Sequence, residues 1–600
     1  VKLYVMAFVR SIKYILIVVC IFCFVPLWSQ NTVPSKGSQI IVEKAETFYY
    51  KKIGEIEYQW MVGKVRMRQD NVYMSCDSAL LLGNRIRAYS KVLIQQTDTL
   101  TIFADSLWYD GDTHIADLWG NVIMVNGTQK IFTKQLKYNL ATKIAEYHNG
   151  AILYDGKTKL KSTTGYYYVN DKTIYFKDKV IITDPTFNLK ADTLKFRTDT
   201  RVATFLGPTL ISQDTTNIYC EAGYYDIQNH KAEFRQHAQY EGKDTKAAAD
   251  TIFYDGIEKS VSLIGKAHYK KGKEIAVADK IVHYDDTKIT SLYGHADYQN
   301  DKQALRGDEI HYNGTDGSFH TVGRSRVSDP PQILEADHIN YSKGKGYGKA
   351  FGDVVWQDTS SRIIVKCDTT YFDKVKDYLK AFGRRPLLIS YEGKDSTFLT
   401  ADTLKAFKQI RELDSSRIFL AYHDVRILRK DMQGISDSLS YNTKDSILVF
   451  YKVPILWSDT TQFTADTMMV FMSHGQIKKV YMRQNSLIIN SPDQKFFNQI
   501  KGRDVNAWFI ERKLNNMFVE GNAEAVYYAL DNNKAYIGVN KCISSTMTLL
   551  FKENKVNDIY FVTNPQSKFI PMTRANHDKL KLPGFKWEYA KRPKVLADLF

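Results

Sequence analysis

Along this chain apolar residues alternate with polar ones at a spacing of two, and few stretches show a helical period. In Ala104-Asp105-Ser106-Leu107-Trp108-Tyr109-Asp110, Leu107 and Tyr109 share one face of a predicted strand. A second strand follows in which Ala116, Leu118, Val122 and Met124 alternate with polar or outward residues. Short turn signals separate such strands, among them Tyr109-Asp110-Gly111-Asp112, Asn126-Gly127 and Tyr254-Asp255-Gly256, where Asp, Asn and Gly supply local hydrogen bonds and positive φ angles.

The first strand recurs as Ala-Asp-(Ser/Thr)-(Leu/Ile)-x-(Tyr/Phe). Further copies lie at Ala191 to Phe196, Ala249 to Asp255, Ala278 to Tyr284 and Ala336 to Tyr341, with weaker ones at Asp77, Glu221, Asp308, Asp368, Asp402, Asp437 and Asp466. From Asp192 the acidic position advances to Glu221, Asp250, Asp279, Asp308 and Asp337, each step being 29 residues. The second strand returns with a glycine inside it, at Gly265, Gly294, Gly352 and Gly521. A glycine at a fixed place within a strand marks a bulge or bend. Self-similarity at this period is the mark of a stacked architecture in which each unit buries its apolar face against its neighbours. After Asp337 the steps to Asp368, Asp402 and Asp437 lengthen to 31, 34 and 35 residues, so the later half carries longer loops.

The expected fold is therefore all-β, a stacked antiparallel solenoid built from repeats of about 29 residues. Residues 1–29 hold Lys2, Arg10 and Lys13 without an acid, then the apolar run Ile15 to Leu27, and read as an export signal too short to span a bilayer, which takes roughly 20 apolar residues. Residues 30–345 form the regular repeat domain and 346–560 a second, less regular one, the Lys343 to Gly348 run being an interruption between them. Residues 561–600 contain Pro565, Pro571, Pro583 and Pro593, lose the repeat, and read as an extended or loosely docked tail.

Composition agrees, with 39 Tyr, 31 Phe and only 13 Pro in 600 residues. The formal charge of +16 is scattered, which suits anionic lipid headgroups or merely keeps a long β protein soluble. Beyond the signal lie Cys76, Cys220, Cys367 and Cys542. The first three occupy the repeat position usually held by Ala, and Cys76 and Cys220 would be at least about 24 Å apart, so a disulfide between them is not expected. The recurrent aspartates have Ala and Ser/Thr neighbours that build no oxygen cage, and a strand-start or turn role is expected for them. The 13 histidines show no His-Glu-x-x-His spacing, no Gly-x-Ser-x-Gly elbow is present, and no nucleic-acid module is recognisable. No catalytic residue, metal site, cofactor or nucleic-acid partner is expected, and the chain reads as a binding protein rather than an enzyme.

The copy Ala-Asp-Ser-Leu-Trp-Tyr-Asp followed by Ala-Asp-Leu-Trp-Gly-Asn-Val resembles the repeat of the OstA-like family, which includes periplasmic lipopolysaccharide-transport proteins and the N-terminal domain of their outer-membrane partner. The resemblance runs from about residue 39 to about 530 and is strongest at 95–355. It implies an open β-jellyroll or β-taco with an apolar groove for the acyl chains of lipopolysaccharide. It also implies a periplasmic location, possession of other transport proteins as partners through edge-strand pairing, head-to-tail self-association, and a part in outer-membrane assembly. Leu107, Tyr109, Leu118, Leu194, Phe196, Ile252, Tyr254, Ile281, Ile310 and Ile339 are the candidate groove residues. The competing readings are an integral outer-membrane β-barrel, a structural β-solenoid scaffold, and a polysaccharide-acting β-helix enzyme. The chain departs from the small periplasmic members in length, and no long barrel domain is expected after the repeats.

Overall fold

A computed structural model describes residues 38–600 apart from 97–98, 393–394, 412–413 and 553–554. The expected export signal at 1–29 lies outside the described residues. Among these the chain is all-β and antiparallel, without an α-helix, and no helix is long and apolar enough to cross a membrane. It forms two compact units, one ending at Leu206 and one starting at Gly207.

In the first unit each long strand is bent at its middle. Strand Leu100–Asp110 pairs with Ile115–Asn126 in register from Asp110↔Ile115 to Ser106↔Trp119, slips, and resumes at Phe103↔Ile123. The slip is a bulge that turns the strand through a corner, so its two halves belong to two facing walls. Wall I contains 78–82, 85–89, 106–110 and 115–119; wall II contains 72–75, 92–95, 100–104 and 122–126. Alternation then aims Leu107, Tyr109, Ala116 and Leu118 inward from wall I and Ile94, Ile102, Ala104 and Met124 inward from wall II, and all eight are buried.

The second unit repeats the device. Strand Ser260–Lys271 slips against Thr245–Asp255 between Ala248 and Thr251, and against Glu274–Tyr284 between Ile264 and Ala267. Tyr298 of wall II and Tyr312 of wall I stack at 4.6 Å, which sets the two inner faces against each other.

The recurrent aspartate sits at this corner in mid-strand, which corrects the expectation of a strand-start or turn role. Its carboxylate receives the bulge of the next strand: the Asn121 N–H donates to Asp105 Oδ2 at 2.9 Å, and the Ser90 hydroxyl to Asp77 at 2.7 Å. At Gly120, Gly265, Gly294 and Gly352 the recurrent glycine lies under the same carboxylate, fifteen residues on, while Gly521 lies beside the Arg503 side chain. At Gly352, with φ +84°, a Cβ would stand 2.5 Å from Asp337 Oδ2. The small residue before the aspartate, Ala104, Ala249, Ala336 or Cys76, fills the inside of the corner and is buried. Sequence, corner and wall are thus linked through one triplet.

Residue 346 falls inside the second unit, where Gln332–Ser342 and Tyr347–Asp358 form a hairpin closing at Ser342↔Tyr347. The Lys343 to Gly348 run is its turn. The chain divides instead at Leu206-Gly207-Pro208, between the separate strands Val202–Phe205 and Thr209–Gln213. Proline has no N–H for a ladder there.

The tail is extended, and it is firmly docked. Leu388 and Leu399 face inward, so Leu387, Ile389 and Thr400 point out of wall II, and Leu599 packs on Leu387 and Ile389 while the Thr400 hydroxyl donates to the Leu599 carbonyl at 2.9 Å. Further back, Leu580 and Leu582 are buried on Leu487, Ile489, Val526 and Val539. Three buried glutamines hold the tail, two by its backbone and one by the Arg592 side chain. Gln499 accepts the Leu582 N–H and Gln462 the Glu588 N–H, both at 2.8 Å; Gln462 also donates to the Lys586 carbonyl at 2.7 Å, and Gln433 accepts from Arg592 Nε at 2.8 Å. An amide side chain offers donor and acceptor together, so each can pair an extended segment much as a neighbouring strand would.

Two outcomes follow from this packing. Gly352→Ala forces a Cβ into the Asp337 carboxylate at positive φ and is expected to cost about 1–3 kcal/mol in urea unfolding, with Asp337→Ala in the same chain recovering part of the loss. Deleting residues 576–600 uncovers an apolar outer face, so dye binding by exposed hydrophobic surface should rise and the thermal midpoint fall; an unchanged midpoint would mean that the tail adds nothing to stability.

Candidate lipid-binding cavity

In the first unit the candidate residues Leu107, Tyr109, Leu118, Leu194 and Phe196 face inward and are almost wholly buried. The interior of this unit is also filled by large buried side chains such as Met61, Met74, Ile86 and Ile94. The strand ends form the mouth between the walls, and here side chains bridge it. The Tyr109 hydroxyl of wall I donates to Gln69 of wall II, whose amide donates in turn to the Gly111 carbonyl at 2.8 Å. Tyr138 donates to Gln96 in the same way, and Tyr167 to Gln129 at 3.1 Å. Tyr109, Tyr138 and Tyr167 stand one repeat apart, so a ladder of phenol-amide bonds crosses the mouth. Burial, before any charge, pushes the Tyr109 and Tyr138 hydroxyls up from their ordinary pKa, so they remain donors.

In the second unit Ile252, Ile281, Ile310 and Ile339 are inward and buried, while Tyr254, of the same parity as Ile252, lies at the mouth with 38% of its surface exposed. Neither group encloses the apolar cavity of this unit. That cavity lies further along, between Ile363, Val365, Leu388, Leu399 and Ile427 of wall II and Leu379, Leu404, Ala406 and Leu439 of wall I. Its volume is about 90 Å³. It is a slot of narrow cross-section rather than an open trough.

One cation closes its mouth. Arg429, 6% exposed, donates through Nε to Asp431 at 3.1 Å, through Nη1 to the Thr397 hydroxyl at 3.2 Å, and through Nη2 to the Gly475 carbonyl at 2.7 Å. Thr397 belongs to wall II and Gly475 to a turn of wall I, so the guanidinium spans the opening. An apolar lumen ending at a guanidinium suits an amphiphile with a hydrocarbon chain and an anionic head.

None of the ten candidate residues lines this cavity. The signal that could have found it is the lengthened step from Asp337 to Asp437. Where Gly265-Lys266 turns an ordinary corner in two residues, Gly383-Arg384-Arg385-Pro386 separates Tyr378–Phe382 from Leu387–Glu392. The broken corner gives the walls room to stand apart.

Among the described residues no group of three or more His, Cys, Asp or Glu could hold a metal. The four described cysteines are free thiols. Burial pushes Cys76, Cys220 and Cys367 up to about 12, with Asp77 and Asp368 adding to the effect at Cys76 and Cys367.

Residues 37–192 match the family model described as OstA-like protein, and residues 159–289 match the one described as LptA/(LptD N-terminal domain) LPS transport protein. Over this stretch the chain is similar to the OstA-like and LptA/LptD N-terminal families. No curated protein matches the chain. Among solved structures, LptH of Pseudomonas aeruginosa, described as the LptA-homologous periplasmic component of the conserved lipopolysaccharide transport device, is 15% identical over 20% of this chain and 80% of its own, with a TM-score of 0.17. The cavity lies beyond both family matches.

The thiols yield a direct check. With folded pKa values near 12 they should stay unreactive towards a thiol-specific reagent at pH 8 and react once the protein is unfolded. Because these values are raised, the stability the buried thiols lend is full below their unfolded pKa of about 8.5 and is lost as pH rises through 12. Rapid labelling of the folded protein at Cys76 would contradict the closed corner.

Proposed function

We propose that this protein is a non-enzymatic lipid carrier of the bacterial envelope, acting in the periplasm and binding lipopolysaccharide through its acyl chains on the way to the outer membrane. The observation that carries this reading is the apolar slot closed by Arg429. A hydrocarbon chain entering it gains about 0.8 kcal/mol per buried methylene, and a lipid phosphate at the mouth would take the place of the Thr397 and Gly475 contacts of the guanidinium. Binding and release need no bond made or broken. The family to which residues 37–289 match supports the choice of lipopolysaccharide as the lipid. The closed interior of the first unit makes it the stiffer part, with its Tyr–Gln ladder opposing entry of a chain at Leu107 or Tyr109.

Partner proteins of the same transport route would join at strand edges. In the first unit Ile41–Lys44 and Thr47–Ile53 pair only with Ile56–Gln69 among the described residues. In the second, Lys555–Val562 and Gln566–Pro571 pair only with Tyr536–Lys552. Unpaired edges of this kind accept a strand from another chain, either a related protein or a second copy placed head to tail.

Benzoyl-phenylalanine placed at Leu399, Leu404 and Leu439 in cells should give ultraviolet-dependent adducts with lipopolysaccharide, and at Leu107 and Lys195 none. Adducts at Leu107 but not at the slot would return the site to the first unit, and none at any inward position would leave a structural scaffold.

A further inference from the structure

On its outer side, wall I of the second unit carries a second kind of surface. Three of its half-strands read Tyr347-Gly348-Lys349-Ala350-Phe351, Tyr378-Leu379-Lys380-Ala381-Phe382 and Thr403-Leu404-Lys405-Ala406-Phe407. Alanine points inward in each and is buried, so lysine and phenylalanine point out. Register then aligns one outward row across eight successive half-strands: Ser291↔His311↔His320↔Asn340↔Lys349↔Tyr371↔Lys380↔Lys405. At a strand spacing of about 4.8 Å the row runs for roughly 34 Å.

The lysines of this row carry uncompensated charge, whereas His311 lies 3.6 Å from Glu309. Among the described residues Lys349, Lys380 and Lys405 form no ion pair, and half-strands 338–341, 347–351, 369–372, 378–382, 403–407 and 418–422 contain no Asp or Glu. Lys380 and Lys405 stand directly opposite each other, a like-charge pair that weakens a sheet. Their neighbours are rings: Lys349 lies 5.6 Å from the Tyr371 centroid, Lys380 4.9 Å from Phe382, and Lys405 4.9 Å from Tyr422. The rings also stack on one another along the strand order, His311 on His320 at 4.3 Å and 15°, Tyr347 on Tyr371 at 20°, and Tyr371 on Phe382 at 30°. Faces spent on neighbouring rings and lysines leave the electropositive ring edges, the hydroxyls and the ammonium groups for a ligand.

We propose that this row binds an extended acidic polysaccharide. Its cations attract the acid groups, while Asn340 and Tyr371 between them offer hydrogen bonds to hydroxyls. A flexible chain can follow a row that turns with the twist of the sheet; a planar lipid surface cannot touch all eight half-strands. Nucleic acid loses its main advantage here, because the ring faces on which bases would stack are already occupied.

The test uses the full chain, polygalacturonate as probe and neutral dextran as control, in low salt. Wild type should bind polygalacturonate and not dextran. The triple variant Lys349→Gln, Lys380→Gln, Lys405→Gln should bind at least tenfold more weakly while its thermal midpoint stays equal or rises, since a like-charge pair has been removed. The single variant Lys195→Gln, in the first unit, should bind as wild type does. Equal binding of dextran, undiminished binding by the triple variant, or a triple variant that melts markedly lower would overturn the proposal, the last by making the lysines structural. Tighter binding to phosphatidylglycerol vesicles or to a single-stranded oligonucleotide, lost in the triple variant, would also overturn it. Acyl-chain crosslinking at Leu399 is a separate readout, so failure here leaves the carrier reading standing and failure there leaves this row.

Discussion

The structure depends on the corner at the middle of each strand. A strand of eleven residues that ran straight would expose one face of its apolar alternation to water; a strand bent in half can fold that face onto itself. The bend needs an extra residue in the ladder, a positive φ that glycine adopts without strain, and an acceptor for the N–H groups the bulge frees. Asp105 with Asn121, and Asp337 over Gly352, supply these from adjacent strands. Because the aspartate of one strand receives the bulge of the next, each corner is completed by its neighbour, and the motif has to recur in step.

Once the corner is set, function turns on the mouth. In the first unit phenol-amide bonds from Tyr109, Tyr138 and Tyr167 tie wall to wall above a core of Met, Leu and Ile. In the second, around Leu399 and Leu404, the inward positions include Ala406 and Ala421, the corner is broken at Gly383 to Pro386, and one arginine crosses the gap. A buried arginine that keeps all its contacts is a costly group to desolvate. Asp431 already pairs with this guanidinium, so an anionic head arriving at the mouth would replace only the Thr397 and Gly475 contacts beside it.

The tail solves a problem created by that same region. Outward residues of wall II are mostly polar near Arg306 and Arg326, but Leu387, Ile389, Trp457, Leu487 and Ile489 point outward as well. Left bare, they would be an apolar strip on a long sheet. The last 25 residues run back across these strands and cover them, with Gln499 and Gln462 pairing the tail backbone and Gln433 the Arg592 side chain. Among the described residues wall I has no such cover, and its outer face carries lysines over rings instead.

The sequence by itself determined the strand alternation, the 29-residue step, the all-β class and the family resemblance, because each is a local or periodic property written in one strand or in its distance to the next. It also marked Leu107, Leu118, Ile252 and Ile339 as inward, since parity follows from the motif. Only the tertiary structure decided what those inward faces enclose. Whether opposed walls close on each other depends on side chains far apart in the chain, Tyr109 with Gln69, or Arg429 with Gly475, and on how wide a corner stands. The partner of each recurrent aspartate, the grip of Gln462 on a tail more than a hundred residues later, and the meeting of Lys380 with Lys405 are likewise matters of register between strands, which no single stretch of sequence contains.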